Sequence, residues 1–147
     1  MKKFLIALSF SLLTVTVSLA QTTGSLGIVR HNHLALQVKD IPVSAAFYRE
    51  VLGLNPIPVP DNLKAIRAWF DIGNGQQIHL LAGRTTPIVN DRNGSHFAVF
   101  VASIDQSEQF LKDRKIAYHR QVRFDGVAQI YFADPDGYLI ELNQTVK

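Results

Sequence analysis

The sequence predicts an α+β domain built from two copies of one module, and two observations carry that prediction. When His33 is aligned with His96, an offset of 63 residues, apolar and small residues coincide along both stretches, and the offset becomes 62 near the module ends. Each copy also opens with a strand-like period of two and continues with a helical period. Two such copies predict one pseudo-symmetric domain, with module one at about 27–83 and module two at about 94–145.

The opening strands are predicted from strict alternation. "HLALQV" (His33–Val38) places His, Ala and Gln on one face and Leu, Leu and Val on the other, and "HFAVFV" (His96–Val101) repeats the pattern. The more apolar face should lie under a helix. The face that carries the histidine should therefore open on a cavity.

A helix is predicted after each opening strand. In "DIPVSAAFYREVLGL", Asp40 and Pro42 are typical start signals and Gly53 is a stop signal. In "DQSEQFLKDRKI", Asp105 with Glu108 resembles a capping box. Both segments have apolar residues at helical spacing, which predicts one buried side for each helix.

Shorter strands should close each module. They are predicted at Ala65–Ile72 and Gln76–Leu81 in module one, and at Val127–Phe132 and Tyr138–Asn143 in module two. Each module therefore has the order β, α and then two or three strands. The segment Gly83–Gly94, which contains Pro87, joins the modules.

The first twenty residues have the features of a secretory signal. Lys2 and Lys3 precede the apolar run Phe4–Val17, and Ser18-Leu19-Ala20 offers small residues where signal peptidase cleaves. We expect cleavage after residue 20, a mature domain of residues 21–147 and a secreted or periplasmic location; an uncleaved anchor is the alternative. The run is shorter than the ~20 residues of a membrane-spanning helix, so no membrane association is expected after cleavage.

Composition excludes several classes of function. Without Lys2 and Lys3, the 15 basic residues become 13 against 12 acidic ones, a net charge of +1 with no basic cluster, which argues against nucleic-acid binding. The chain has no cysteine, so disulfides, thiolate metal ligands and cysteine nucleophiles are excluded. Any metal ion must be bound by imidazole nitrogen and by oxygen.

The repeat brings out four metal-capable residues at two equivalent places. The opening strands carry His33 and His96, and the closing strands carry His79 and Glu141, 46 and 45 residues further on. If the modules pack about a pseudo-twofold axis, these four side chains converge. Such donors suit one divalent ion of Zn, Ni, Fe, Mn or Co.

Each histidine taken alone would more often be a surface or hydrogen-bonded residue of a strand. The duplication reverses that expectation because four equivalent positions carry metal-capable groups. It also separates His33 from its neighbour His31, which aligns with Gly94. His119 has no counterpart and is expected in a loop or at a substrate rim.

The stretches "NHLALQVKDIPVSAAFYREVLGL" and "DPDGYLIEL" resemble the vicinal oxygen chelate superfamily, which includes glyoxalase I, fosfomycin-resistance proteins and extradiol dioxygenases. The likeness runs from about Gly27 to Asn143. It implies two tandem βαβββ modules that form a cupped, barrel-like mixed sheet around a divalent metal, a glyoxalase-like fold, and often a homodimer. The family's ligand positions correspond to His33, His79, His96 and Glu141. Members related to glyoxalase I usually have Glu at the position of His79.

The resemblance implies Lewis-acid catalysis on a small substrate that chelates the metal through two neighbouring oxygens. The leading hypothesis is an exported lyase or isomerase in which Glu141, as the one carboxylate, moves a proton. Residues expected to line the substrate cup are Gln37, Arg67, Trp69, Gln129 and Tyr131. The two aromatic residues fit core packing equally well.

Two rival functions follow from the same residues. An extradiol-type dioxygenase would use His33, His96 and Glu141 as a 2-His-1-carboxylate set on Fe(II), with His79 outside the metal shell. A binding protein that sequesters a drug-like ligand would need no metal, and the retention of all four metal-capable residues counts against it.

Overall fold

The computed structural model describes residues 26–144. The elements follow one another as β1 (His33–Val38), α1 (Ile41–Glu50), β2 (Asn55–Ile57), a short 3-10 turn (Asp61–Leu63), β3 (Arg67–Gly73), β4 (Gln76–Ala82), β5 (His96–Val101), α2 (Ile104–Asp113), β6 (Tyr118–Val122), β7 (Ala128–Ala133) and β8 (Leu139–Gln144). The order βαβββ occurs twice, which confirms the predicted α+β fold of tandem modules. No helix in this range is long and apolar enough to cross a membrane. The predicted signal peptide and its cleavage site lie outside the described residues.

Each module forms its own four-stranded mixed sheet. The strand orders are β1-β4-β3-β2 and β5-β8-β7-β6. The first pair in each sheet is parallel and the other two pairs are antiparallel. The two strands that begin with a histidine, β1 and β5, are therefore edge strands with equivalent positions.

Helix α1 begins where the sequence predicts. The Asp40 carboxylate caps it by accepting a hydrogen bond of 3.0 Å from the Val43 amide, and Pro42 lies in the first turn, where no amide donor is needed. The helix ends before Gly53, which has a φ of +67°. Its buried side consists of Ile41, Ser44 and Tyr48.

Helix α2 begins two residues earlier than the predicted capping box. Ser103 is the N-cap, and its hydroxyl accepts a hydrogen bond of 3.3 Å from the Gln106 amide. The prediction that Asp105 caps with Glu108 is therefore wrong. Both carboxylates instead bind Arg120 of β6, because Ser103 already satisfies the free amides of the first turn.

The cores of the two modules meet through aromatic residues. One apolar cluster lies under the first sheet and another under the second, and Phe47, Leu52 and Phe97 pack against both. The ring centroids of Phe47 and Phe132 are 6.3 Å apart. The polar faces of the sheets lie opposite these clusters. On them His33 and His96 are exposed, whereas Gln129, Tyr131 and Glu141 are buried.

The turn between β7 and β8 joins the modules through buried carboxylates. Asp136 accepts hydrogen bonds from the Lys39 amide (2.7 Å) and the Ser44 hydroxyl (2.9 Å), and Asp134 accepts one from the Tyr48 hydroxyl (3.0 Å). Burial raises the pKa of Asp134, against hydrogen bonds that lower it. These bonds connect the beginning of module one to the end of module two.

Candidate metal and substrate site

Each sheet presents a polar face opposite its core, which we call the module-one face and the module-two face. The strand registers assign the residues. The module-one face consists of His33, Ala35, Gln37, Arg67, Trp69, Gln77 and His79. The module-two face consists of His96, Ala98, Gln129, Tyr131, Glu141 and Asn143. All nine residues predicted for the site lie on these two faces.

The module-two face brings His96 and Glu141 together. The Nε2 atom of His96 lies 2.9 Å from Oε2 of Glu141. The Nδ1 atom of His96 lies 2.8 Å from the Gly94 carbonyl oxygen, which can only accept, so Nδ1 carries the proton. The Nε2 atom of His96 therefore faces the Glu141 carboxylate, and a proton or a metal cation between the two atoms would make this approach favourable.

The separation suits two ligands of one ion. Two donors at about 2.1 Å from a metal, with a right angle between the bonds, would be about 3 Å apart. The observed 2.9 Å between His96 Nε2 and Glu141 Oε2 matches that value. The hydrogen bond from Nδ1 to a carbonyl is also the usual way in which a metal-binding imidazole is oriented. These two residues therefore fit a divalent cation.

Glu141 is held as a carboxylate. Burial opposes ionisation, but hydrogen bonding by Tyr131, Asn143 and Gln129 and the neighbouring His96 outweigh it, so the pKa of Glu141 lies below its usual range. Asn143 donates to Oε1 at 2.7 Å, and Gln129 donates to the same oxygen. Both amides approach Oε1, so Oε2 is the oxygen that faces His96.

The module-one face carries a stack of three rings. The His33 and His79 centroids are 4.3 Å apart with 15° between the planes, and the His79 and Trp69 centroids are 4.6 Å apart with 19°. His79 Nε2 lies 2.7 Å from Oε1 of Gln77, and His33 Nδ1 lies 2.6 Å from Oδ1 of Asn32. Burial, and then the nearby His33, lower the pKa of His79.

The four predicted ligands therefore lie as two pairs. Within residues 26–144, no three metal-capable side chains of one chain are close enough to share an ion. Each pair belongs to its own sheet, and Phe47, Leu52 and Phe97 pack against the apolar clusters of both sheets. The binding of one cation by all four residues stays a prediction.

The aromatic positions left open by the sequence are now assigned. Trp69 pairs with His79, and Tyr131 pairs with Glu141, so both rings stand beside a predicted ligand and outside the core clusters. Burial and Glu141 raise the pKa of Tyr131 to about 12, so its hydroxyl remains a donor. Arg67 donates to the Ile66 carbonyl. Gln37 is exposed on the edge strand.

Three further polar residues near the module-two face escaped the sequence reasoning. Asn143 lies two residues beyond Glu141, and a period of two could have found it. His119, expected in a loop or at a substrate rim, lies in strand β6 opposite Tyr131, and Arg92 of the linker contacts both His119 and Gln121. The repeat could not identify His119, because the equivalent residue of module one is Ile57.

Comparisons with known proteins identify the family to which this chain is similar. The sequence model of the Glyoxalase/Bleomycin resistance protein/Dioxygenase superfamily matches residues 30–142. The chain is 32% identical to glyoxylase I 4 of Arabidopsis thaliana over 76% of this chain and 68% of that protein. It is 31% identical to the mitochondrial methylmalonyl-CoA epimerase of Homo sapiens over 86% of this chain and 80% of that protein.

A solved structure supports the same fold. The crystal structure of a glyoxalase/dioxygenase from Nostoc punctiforme superposes with a TM-score of 0.70 at 25% sequence identity, covering 91% of this chain and 100% of that one. The likeness extends over both modules.

Proposed function

This chain belongs to the glyoxalase, bleomycin resistance protein and dioxygenase superfamily, and on that premise we propose that it is a divalent-metal-dependent lyase or isomerase of glyoxalase type. Its substrate would be a small oxygenated molecule that chelates the ion through two neighbouring oxygens. The observation that carries the proposal is the approach of His96 Nε2 to Glu141 Oε2, which places two metal-capable atoms 2.9 Å apart.

We propose that a second copy of the chain completes the metal centre. His33 and His96 are exposed on edge strands, β1 and β5, each of which pairs with one other strand in the described part of the chain, although Tyr138 and Arg84 cover the outer edge of β1 at Gln37. Edge strands of this kind are suited to pairing with another chain. A twofold homodimer that placed the module-one face of one chain against the module-two face of the other would form two equivalent sites.

In this proposal, the module-two face would transfer the proton and the module-one face would contact the substrate. Zn, Ni, Fe, Mn or Co, when bound, would act as a Lewis acid that stabilises negative charge developing on the substrate oxygens. Glu141, ionised at neutral pH, would accept the proton that moves during an isomerisation or elimination. Tyr131 and Gln129 hold the carboxylate in place, and Trp69, Gln37 and Arg67 would line the cup from the opposite face.

We propose that the protein acts outside the cytoplasm. The support is the sequence of residues 1–20, with two lysines, an apolar run and a small-residue cleavage site. Glutathione is mainly a cytosolic thiol, so an exported enzyme would use a different substrate from the housekeeping glyoxalases. Detection of the mature N-terminus at Gln21 by mass spectrometry of secreted material would test this.

The test of the proposed function is metal binding followed by turnover. Purified protein is loaded with Zn, Ni, Mn or Fe(II), and bound metal is measured by elemental analysis. About one ion per chain is expected, two per twofold dimer. Failure of all four metals to bind in stoichiometric amounts would end the proposal.

One observation favours a second function. His79 is stacked between the rings of His33 and Trp69. If His79 does not bind the metal, His33, His96 and Glu141 form a 2-His-1-carboxylate set of the kind used by Fe(II) oxygenases. An extradiol-type dioxygenase would consume oxygen in the presence of catechols and Fe(II). A lyase or isomerase would turn over its substrate without oxygen uptake, so an oxygen electrode separates the two.

A further inference from the structure

We infer that His79 is a positioning residue that holds the His33 ring by stacking and is not itself a ligand of the proposed metal ion. This inference rests on the proposed metal-dependent function. It assigns to one of the four metal-capable residues a different task from that of the other three.

In the observed stacked orientation, one metal ion cannot bind ring nitrogens of both His33 and His79. A ring nitrogen binds a metal in the plane of its ring, at about 2.1 Å. Parallel rings in contact are separated by about 3.5 Å. The planes of His33 and His79 are only 15° from parallel, so an ion in the plane of His33 lies farther from the plane of His79 than a metal–nitrogen bond is long.

Module two provides an internal comparison. Glu141 has the place in β8 that His79 has in β4, since Glu141 pairs with Ala98 and Tyr131 while His79 pairs with Ala35 and Trp69. At this shared place the carboxylate of Glu141 converges on the Nε2 atom of its histidine, but the ring of His79 lies flat against its own. The same backbone geometry therefore produces a ligand pair in one module and a stack in the other.

The partners of His79 agree with a fixed ring. Trp69 covers one side of His79 and His33 covers the other. The Nε2 atom of His79 is occupied by the side-chain oxygen of Gln77, at 2.7 Å. The stack, together with the contact between His33 Nδ1 and Asn32 Oδ1, fixes the ring through which His33 would present Nε2 to an ion.

Cobalt binding to variants tests this assignment, because Co²⁺ reports its own coordination through its visible absorption bands. His79→Phe preserves a flat ring in the stack but has no nitrogen that can bind metal. We expect it to bind Co²⁺ with less than about 10-fold loss of affinity and with the wild-type spectrum. His79→Ala removes the stack and should weaken binding about 10- to 100-fold, the usual cost of losing an outer partner of a ligand.

Two histidine variants complete the experiment. His33→Ala removes a proposed ligand and should lower affinity more than either change at His79. His31→Ala is the matched control, an exposed histidine two residues away that should bind Co²⁺ like the wild type. Circular dichroism of each variant confirms that it is folded before the titration.

The outcomes separate the inference from the proposed function. If wild-type protein binds none of Co²⁺, Zn, Ni, Mn and Fe(II), the metal-dependent function fails. If wild-type protein binds Co²⁺ but His79→Phe loses affinity as much as His79→Ala and shifts the cobalt bands, His79 is a ligand and the inference is wrong. Equal affinities and spectra for wild type, His79→Phe and His79→Ala would also overturn it, because the stack would then have no role.

Discussion

At the scale of single residues, the charge of Glu141 is the most consequential feature of the proposed site. Glu141→Gln keeps the shape of the side chain and removes the anion that faces His96. We expect metal affinity to fall by more than about 100-fold, because losing an outer partner alone costs about 10- to 100-fold. Titration calorimetry with Zn measures the change, and Glu50→Gln, at an exposed carboxylate far along α1, is the control.

Gly137 is the residue with the least room for a side chain. It has a φ of +95°, and a Cβ atom there would come within 2.2 Å of the Ile88 carbonyl oxygen of the linker. Gly137→Ala must move backbone, so we expect a loss of about 2 to 3 kcal/mol in the free energy of unfolding.

Gly126→Ala is the matched control for that loss. Gly126 also has a positive φ, +84°, but a Cβ atom there would meet nothing within 4 Å. It should cost only about 1 kcal/mol, the penalty of the left-handed conformation alone. Equal losses in urea unfolding of the two variants would show that the contact between linker and turn does not constrain the fold.

At the scale of elements, the hydrogen bond between α1 and the β7–β8 turn should stabilise the joint between modules. Tyr48→Phe removes the donor to the buried Asp134 carboxylate, 3.0 Å away, and should cost about 1 to 3 kcal/mol. A double-mutant cycle with Asp134→Asn isolates the pair. A coupling energy near zero in urea unfolding would contradict this role.

The ionised side chains on the surface of α2 should make the free energy of unfolding depend on pH. Hydrogen bonds from Tyr118, Arg120 and Lys112 lower the pKa of Glu108 to about 2 from 4.5. A depressed folded-state pKa stabilises the protein above pH 4.5, and that contribution disappears as the pH falls toward 2. Wild type should therefore lose stability more steeply than Glu108→Gln between these pH values, as thermal unfolding at several pH values would measure. Parallel curves would contradict the assignment.

The sequence predicted the strands that carry the site better than it predicted the helix caps. Period-two alternation and the repeat located both histidine strands and the faces of His33, His79, His96 and Glu141, because strand phase is a property of local sequence. The alternation left Trp69 and Tyr131 open between the cup and the core. The cap of α2 was misassigned, since Ser103, Asp105 and Glu108 all carry capping side chains and only tertiary contacts with Arg120 decide among them.

Two features of the site could not be read from the sequence. The ring stack of His33, His79 and Trp69 depends on side-chain rotamers that a pattern of residues does not specify. The separation of the two ligand pairs depends on which faces of the sheets meet. Phe47 and Phe97 would lie on apolar faces in either packing of the modules. The repeat alone therefore could not predict which faces of the two sheets meet.

At the scale of the whole molecule, the proposed function gives each chain two half-sites. Its module-one face contains two imidazoles, and its module-two face contains an imidazole and a carboxylate. Two chains related by a twofold axis would place unlike halves together twice. Dimerisation and metal binding should then be linked, so that metal raises the fraction of dimer at low protein concentration.

Subunit mixing tests this central claim most directly. The His33→Ala and Glu141→Gln proteins are purified separately, mixed under dissociating conditions and returned to dimer-forming conditions with Zn. If the site lies between chains, each mixed dimer contains one site with His33, His96 and Glu141 intact. About a quarter of the wild-type zinc capacity should then return, by random pairing of a twofold dimer. Recovery of no capacity from the mixture, with both parent variants folded and dimeric, would contradict a site shared between two chains.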